Sequence, residues 1–245
     1  MCVRLHPGLG MTAGCWLPLQ AVAGPQLQLA PDLVIGHSLG AAAAMGSGAR
    51  AVVLIAPAFP DTVAGWVRGV LALLRCLSPQ GRVLRALLTT VASSPFVWWL
   101  CWRIAGDRVV EPFAAFRARH QPDPGEATER WVDAFVTMLH VPPPVHACRH
   151  PVLIVVGECD PVVPASRFVN CCKSSSTTVV HMIRGAGHLP HETHAVECWA
   201  AITAWLTGDS SFRFVPAAGP EVAGWRVVVT VLLLLLLAVL VRRRG

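Results

Sequence analysis

The sequence predicts an α/β fold built on a mostly parallel sheet. Two observations carry that expectation. Short β-branched runs bounded by Gly, Pro or Asp alternate with stretches of helical periodicity, and strand–helix–strand repetition asks for parallel strands covered on both faces. A third observation is an interruption: the helical patterns between residues 62 and 140 are too long for one crossover and read as an inserted helical region.

The elements follow in chain order. Cys2–Leu5 is the first apolar run, and Thr12–Val22 the first helical pattern, with a short Leu27–Leu29 run behind it. Leu33–Ile35 is a strand, Leu39–Met45 a helix rich in alanine, and Ala51–Ile55 the third strand. The insertion runs from Thr62 to Leu139 and is ended by Pro142, Pro143 and Pro144, because proline neither donates to a helix nor fits its interior. Val152–Val156 and Thr178–Ile183 are the last two strands, each followed by a helical pattern, Ala165–Cys172 and Thr193–Leu206.

The domain expected from this pattern covers residues 1–208, with the helical insertion at about 61–145. Residues 209–221 read as a linker, and residues 222–245 as a membrane segment. Val227–Val241 carries no charge, follows Arg226 and precedes Arg242, Arg243 and Arg244. Fifteen residues of helix rise about 22 Å against a hydrocarbon core of about 30 Å. Counted from Val222, with Arg226 reaching back to the interface, the span has twenty residues and is long enough.

Composition agrees with a membrane-associated globular chain. Hydrophobic residues make up 54% of the 245 and charged residues 14%, which excludes a disordered or fibrous chain. The net charge of +6 is uneven: residues 61–120 carry +5, residues 210–245 carry +4 and the rest −3. Positive charge confined to apolar stretches fits anionic lipid better than a phosphate backbone, so no nucleic-acid partner is expected. Nine cysteines, scattered and without a CxxC pair, read as reduced thiols and not as a disulfide framework or zinc site. The N-terminal residues lack a long apolar core, so no cleavable signal peptide is expected. The localisation that follows is a single-pass C-terminal tail anchor with a cytosol-facing domain, in the mitochondrial outer membrane or the endoplasmic reticulum.

The chemistry-bearing motif is Gly36-His37-Ser38-Leu39-Gly40, placed between a strand and a helix. That context makes G-x-S-x-G a sharp turn which lifts the serine hydroxyl above the sheet. Two further pieces follow. Asp160 ends the buried strand that begins at Pro151, and His188 follows the strand Thr178–Ile183 through a glycine turn. Ser38, Asp160 and His188 stand in one of the orders used by serine–histidine–acid triads, each just past a strand's C-terminal end. His188 would take the Ser38 proton, and Asp160 would hold the imidazole tautomer. His191 and His194 invite a metal reading, but His191-Glu192-Thr193-His194 is not HExxH and Pro190 interrupts the helix that would align the rings. No metal and no cofactor is expected.

On these residues the chain resembles the α/β-hydrolase superfamily, in particular its lipase and esterase branch, over residues 1 to about 207. His6-Pro7-Gly8-Leu9-Gly10 looks like that family's oxyanion loop, with Pro7 where glycine is more usual. Gly36, His37 and Gly40 look like its nucleophile elbow, and Gly157–Asp160 and Gly185–His188 like its acid and base turns. The resemblance implies an oxyanion hole from the backbone N–H groups of Leu9 and Leu39, a lid formed by the insertion, and an acyl ester or thioester substrate, lipid in character. Ser38 separates the chain from the epoxide hydrolase and dehalogenase branches, which have aspartate there. The family has two strands before its oxyanion loop, and a strand and a helix between that loop and the elbow, so this sequence reads as shortened at its N-terminus. The strands it lacks lie on one side of the family's sheet. Five contiguous parallel strands are therefore expected, with Cys2–Leu5 at the edge beside Leu33–Ile35. The alternative is a tail-anchored binding or scaffold protein of the same fold with impaired catalysis. Oligomeric state is left open.

Overall fold

The computed structural model describes residues 3–8, 11–25, 32–59, 61–65, 67–69, 72, 94–105, 112–120, 150–168 and 177–209. Five strands form one parallel sheet: β1 (Arg4–His6), β2 (Leu33–His37), β3 (Ala51–Ile55), β4 (Val152–Gly157) and β5 (Thr178–Ile183). Their spatial order is their chain order. The register runs straight across the sheet, Leu5 beside Ile35, Ile35 beside Val53, Val53 beside Leu153 and Leu153 beside Val179.

The strand sequences explain the arrangement. Every residue of β2 and β4 is buried, as strands covered on both faces require. β1 is the edge strand, three residues long and partly exposed, and a short edge offers little template for pairing with another chain. It lies beside β2 as expected from sequence, but its ladder covers Arg4–His6, with His6 paired to Gly36. The β-branched pattern stops at Leu5 because a histidine carries no apolar signal, while the backbone hydrogen bonds continue through it.

Two layers of helix cover the sheet. On one face α1 (Leu17–Ala23) and α6 (Ala195–Thr207) pack together over Ile35, Val53, Ile55, Leu153 and Val155, bringing Trp16, Leu19, Cys198, Trp199 and Ile202 into one core. On the other face α2 (Gly40–Met45) lies against β1, β2 and β3. Full burial of each large aliphatic side chain is worth roughly 1.5–3 kcal/mol, so the sheet's two apolar faces dominate the stability of the domain.

Two expected helices are broken where proline and side-chain capping dictate. In place of one helix over Thr12–Val22, the Thr12 hydroxyl accepts from the Gly14 amide and starts a 3-10 turn, Ala13–Trp16, which α1 follows with Pro18 in its first turn. The last helix is preceded by a separate turn, α5 (Pro190–Thr193), in which Pro190 starts a helix instead of interrupting one; α6 ends at Gly208 with φ 78°. Ala165–Phe168 is a short 3-10 helix where a helix to Cys172 was expected, and the rest of that stretch lies outside the described residues.

Of the expected lid, α3 (Pro95–Ala105) and α4 (Phe113–His120) are described, together with a few residues at 61–72. Trp98 and Phe116 join the main core from these helices, while Trp99 is 41% exposed. The expected Leu27–Leu29 run, most of the 209–221 linker and the 222–245 segment lie outside the described residues. Among the described residues no helix is long and apolar enough to cross a membrane.

Candidate active site

The site lies at the C-terminal ends of β2, β4 and β5, where open parallel sheets build their crevices. β2 runs out at His37, and the chain turns sharply into α2 with Ser38 at φ 50°. A left-handed backbone at a non-glycine residue is strained and persists only where its surroundings enforce it. Here the Ser38 amide donates to the Ile55 carbonyl at 2.9 Å, and the Ser38 carbonyl accepts from Ala41 at 3.2 Å and Ala58 at 3.1 Å. The flanking glycines permit the turn. A Cβ on Gly36 would fall 2.7 Å from the Ala44 Cβ and 2.8 Å from the Ala41 Cα. A Cβ on Gly40 would run into the backbone of His6 and Pro7, so the expected oxyanion loop lies directly against the elbow.

The acid turn and the base turn are laced together. Glu158 and Cys159 donate their amides to the carbonyls of Ile183 and Ala186, and the Glu158 carboxylate accepts from the Gly185 amide at 3.0 Å. Asp160 is 3% exposed. Its Oδ1 accepts from the amides of Val162 and Val163 at 2.8 and 2.9 Å, which leaves Oδ2 to face the His188 Nδ1 at 2.8 Å. A carboxylate only accepts, so Nδ1 carries the hydrogen and Nε2 presents a lone pair. That lone pair meets the Ser38 Oγ at 3.1 Å. Ser38, His188 and Asp160 thus form one hydrogen-bonded line with the serine proton aimed at a base.

The expected oxyanion residues fare unequally. The Leu39 amide, first after the serine, donates to no acceptor among the described residues. Leu9 and Gly10 lie outside the described residues, while Gly8 is buried beside His37.

A buried polar layer beneath the site has no counterpart in the sequence-based expectations. The His37 Nε2 lies 3.0 Å from the His188 carbonyl oxygen, and a carbonyl only accepts, so His37 donates through Nε2. The His191 ring lies between those of Trp16 and His37, with centroids 4.6 and 4.5 Å away, and neither of its nitrogens has a hydrogen-bond partner among the described residues. Burial holds the pKa of both His37 and His191 well below the usual 6.5, with neighbouring histidines adding to the effect, so both rings are neutral. The Glu192 Oε2 accepts from the Arg119 Nη2 at 2.6 Å and lies 3.0 Å from the His120 Nε2, tying α4 to the segment behind His188. The Thr12 hydroxyl donates to the Arg119 carbonyl at 2.8 Å from the other side. No spacing rule joins residues 12, 119 and 192; the only sequence signal was the run of histidines at 188, 191 and 194. His194 is buried at the break between α5 and α6, its Nδ1 2.9 Å from the Thr193 hydroxyl. Among the described residues no group of three His, Cys, Asp or Glu side chains is arranged to hold a metal ion.

Comparison with known proteins gives this arrangement a setting. Residues 6–201 match the model of the alpha/beta hydrolase family. Among solved structures, an esterase from Thermogutta terrifontis aligns with TM-score 0.63 at 16% identity, over 85% of this chain and 90% of its own. The carboxylesterase CesB of Bacillus subtilis aligns with TM-score 0.53 at 13% identity, over 84% of each chain. A haloalkane dehalogenase loop variant from Bradyrhizobium elkanii aligns with TM-score 0.56 at 13% identity, over 84% of this chain and 88% of its own. At these identities the likeness is one of fold, and the fold carries more than one chemistry. No curated protein sequence matches the chain.

Proposed function

The chain belongs to the alpha/beta hydrolase family, and from that premise we propose that it is a serine hydrolase of acyl esters with Ser38 as nucleophile, His188 as general base and Asp160 as its orienting acid. The observation that carries the reading is the continuous hydrogen-bonded line from the Asp160 Oδ2 through His188 to the Ser38 Oγ, on a left-handed turn.

The proposed chemistry follows from that line. The Ser38 Oγ attacks the acyl carbon while its proton passes to the His188 Nε2, and the carbonyl electron pair moves onto oxygen. The amide of Leu39, with that of Leu9 as the family resemblance implies, stabilises the oxyanion. Collapse expels the alcohol, which takes the proton from His188. Water then attacks the acyl-serine while its proton passes to the same nitrogen, and the Ser38 Oγ takes that proton back as the acid leaves. Asp160 keeps the proton on Nδ1 throughout and stabilises the imidazolium when it forms.

The substrate we assign is a lipid-like ester or thioester. The support is the apolar, arginine-bearing character of residues 61–120 and the apolar run Val227–Val241, which we read as a membrane span close to the catalytic body. Deleting residues 222–245 moves the protein from the membrane to the soluble or aggregated fraction; full membrane retention without them overturns the anchor. The enzymatic reading is tested on purified protein with p-nitrophenyl esters of increasing chain length. Hydrolysis that Ser38→Ala and His188→Ala each abolish supports it. Folded wild type that hydrolyses none of them, or does so no faster than Ser38→Ala, overturns it in favour of a scaffold role.

A further inference from the structure

His37 precedes the proposed nucleophile, yet its side chain turns away from Ser38 and under the base. It is 1% exposed, and its ring packs against His188, Gly8 and His191. Its Nε2–H donates to the carbonyl of His188 at 3.0 Å, across 151 residues of chain. Its ring lies against that of His188, with centroids 5.1 Å apart. Gly8, in the expected oxyanion loop, sits so close that a Cβ there would fall 2.7 Å from the His37 Nδ1. Behind it the His191 ring lies 4.5 Å away and is backed in turn by Trp16 at 4.6 Å.

The geometry points to His37 as a positioning residue, the strut that sets the height and tilt of the His188 ring over Ser38 by holding the His188 carbonyl. The inference rests on the hydrolase reading and deepens it. His188 follows a glycine turn with Gly185 at φ 69°, and the hydrogen bonds between that turn and the acid turn are made at Ile183, Gly185 and Ala186, before the base itself. Its side chain is fixed at two points, Asp160 and Ser38, but a ring held by those two can still pivot about the line between them. The hydrogen bond to the His188 backbone supplies the third point. The strut needs a hydrogen on Nε2, and burial keeps the ring neutral. Its surroundings favour that state: the buried His37 Nδ1 has no hydrogen-bond partner among the described residues, and His188, His191 and His120 add no negative charge around it.

The test compares His37→Phe, which keeps a flat ring and loses the donor, with His37→Gln, whose side-chain amide nitrogen reaches the place of Nε2. A displaced base costs turnover and not ground-state binding. His37→Phe is expected to lower kcat by about 10–100-fold with KM within about twofold, whereas His37→Gln stays within about threefold of wild type. In His37→Phe the His188 ring sits less squarely on Asp160. Nitrogen-15 NMR of the full chain in micelles reads the tautomer without activity, and wild type shows His37 neutral and protonated on Nε2. A His37→Phe enzyme with unchanged kcat overturns the strut while leaving the hydrolase reading intact, and so does a wild-type His37 protonated on Nδ1. If His37→Phe fails to fold, the NMR tautomer and the His37→Gln kinetics decide the matter alone, a Gln variant as impaired as a nucleophile deletion counting against the strut. Wild type that neither hydrolyses esters nor takes a fluorophosphonate label removes the hydrolase reading and the strut with it.

Discussion

Replacing Asp160 by asparagine changes one atom and reverses one hydrogen bond. The Asp160 Oδ1 accepts from two backbone amides, the partly buried Val162 at 2.8 Å and the buried Val163 at 2.9 Å. Only an oxygen satisfies those donors, so the asparagine amide is forced to put its oxygen there and its NH2 where Oδ2 stood. That NH2 then faces the His188 Nδ1 across a contact of 2.8 Å in wild type. Two donors cannot share the contact, so His188 moves its proton to Nε2. The nitrogen facing the Ser38 Oγ at 3.1 Å then carries a hydrogen and cannot accept the serine proton. The same reversal in a serine protease lowers kcat about 10⁴-fold, equivalent to about 5.5 kcal/mol of barrier. A loss of that order is expected for Asp160→Asn in p-nitrophenyl ester hydrolysis, with the thermal melt within a few degrees of wild type because both backbone amides keep their acceptor. Asp160→Ala, which strands those amides, loses stability as well. A folded Asp160→Asn enzyme within tenfold of wild-type kcat refutes the reasoning.

Three further outcomes follow from the packing and the buried charges. Gly40→Ala drives a methyl group into the His6 and Pro7 backbone and is expected to cost about 1–3 kcal/mol in urea denaturation, whereas the exposed Gly69→Ala, with open space around it, loses less than Gly40→Ala. His37 and His191 stay neutral when folded but take up protons near pH 6.5 when unfolded, so their contribution is complete above that pH and is lost below it. The loss approaches about 1.4 kcal/mol per pH unit for each ring, and urea midpoints that stay flat from pH 7.5 to 5.5 contradict this. Glu192→Ala removes the carboxylate that lies 2.6 Å from Arg119, whose side chain is only 21% exposed. A loss of about 3 kcal/mol is expected, much of it recovered when Arg119→Met is added, and denaturation curves in which the two losses simply add speak against a coupled pair.

The middle of the sheet was legible because β2, β3 and β4 are buried on both faces: Val152–Val156 and Ala51–Ile55 announce themselves as unbroken apolar runs between turn residues. Ser38, Asp160 and His188 were legible because each follows such a run at a glycine-bearing turn, and the structure brings the three side chains together. The helices were read less well. Thr12 and Pro18 divide what looked like one helix, and His194 sits at φ −135° between two others, because capping and proline geometry act over single residues that a hydrophobic period averages away. Least legible was the polar layer of His37, Arg119, His120, His191 and Glu192. Its members are scattered over 155 positions and meet only once the sheet and α4 have folded together. A histidine that donates to a distant carbonyl looks the same in sequence as one that merely fills space.

Intact-mass and peptide mapping of the protein after brief treatment with a fluorophosphonate tests the central claim most directly, since only a serine beside a working base reacts quickly. A single adduct on the peptide carrying Ser38, absent from Ser38→Ala and strongly slowed in His188→Ala and Asp160→Asn, is the predicted result. Folded wild type that stays unmodified, or that labels equally well without His188, contradicts it.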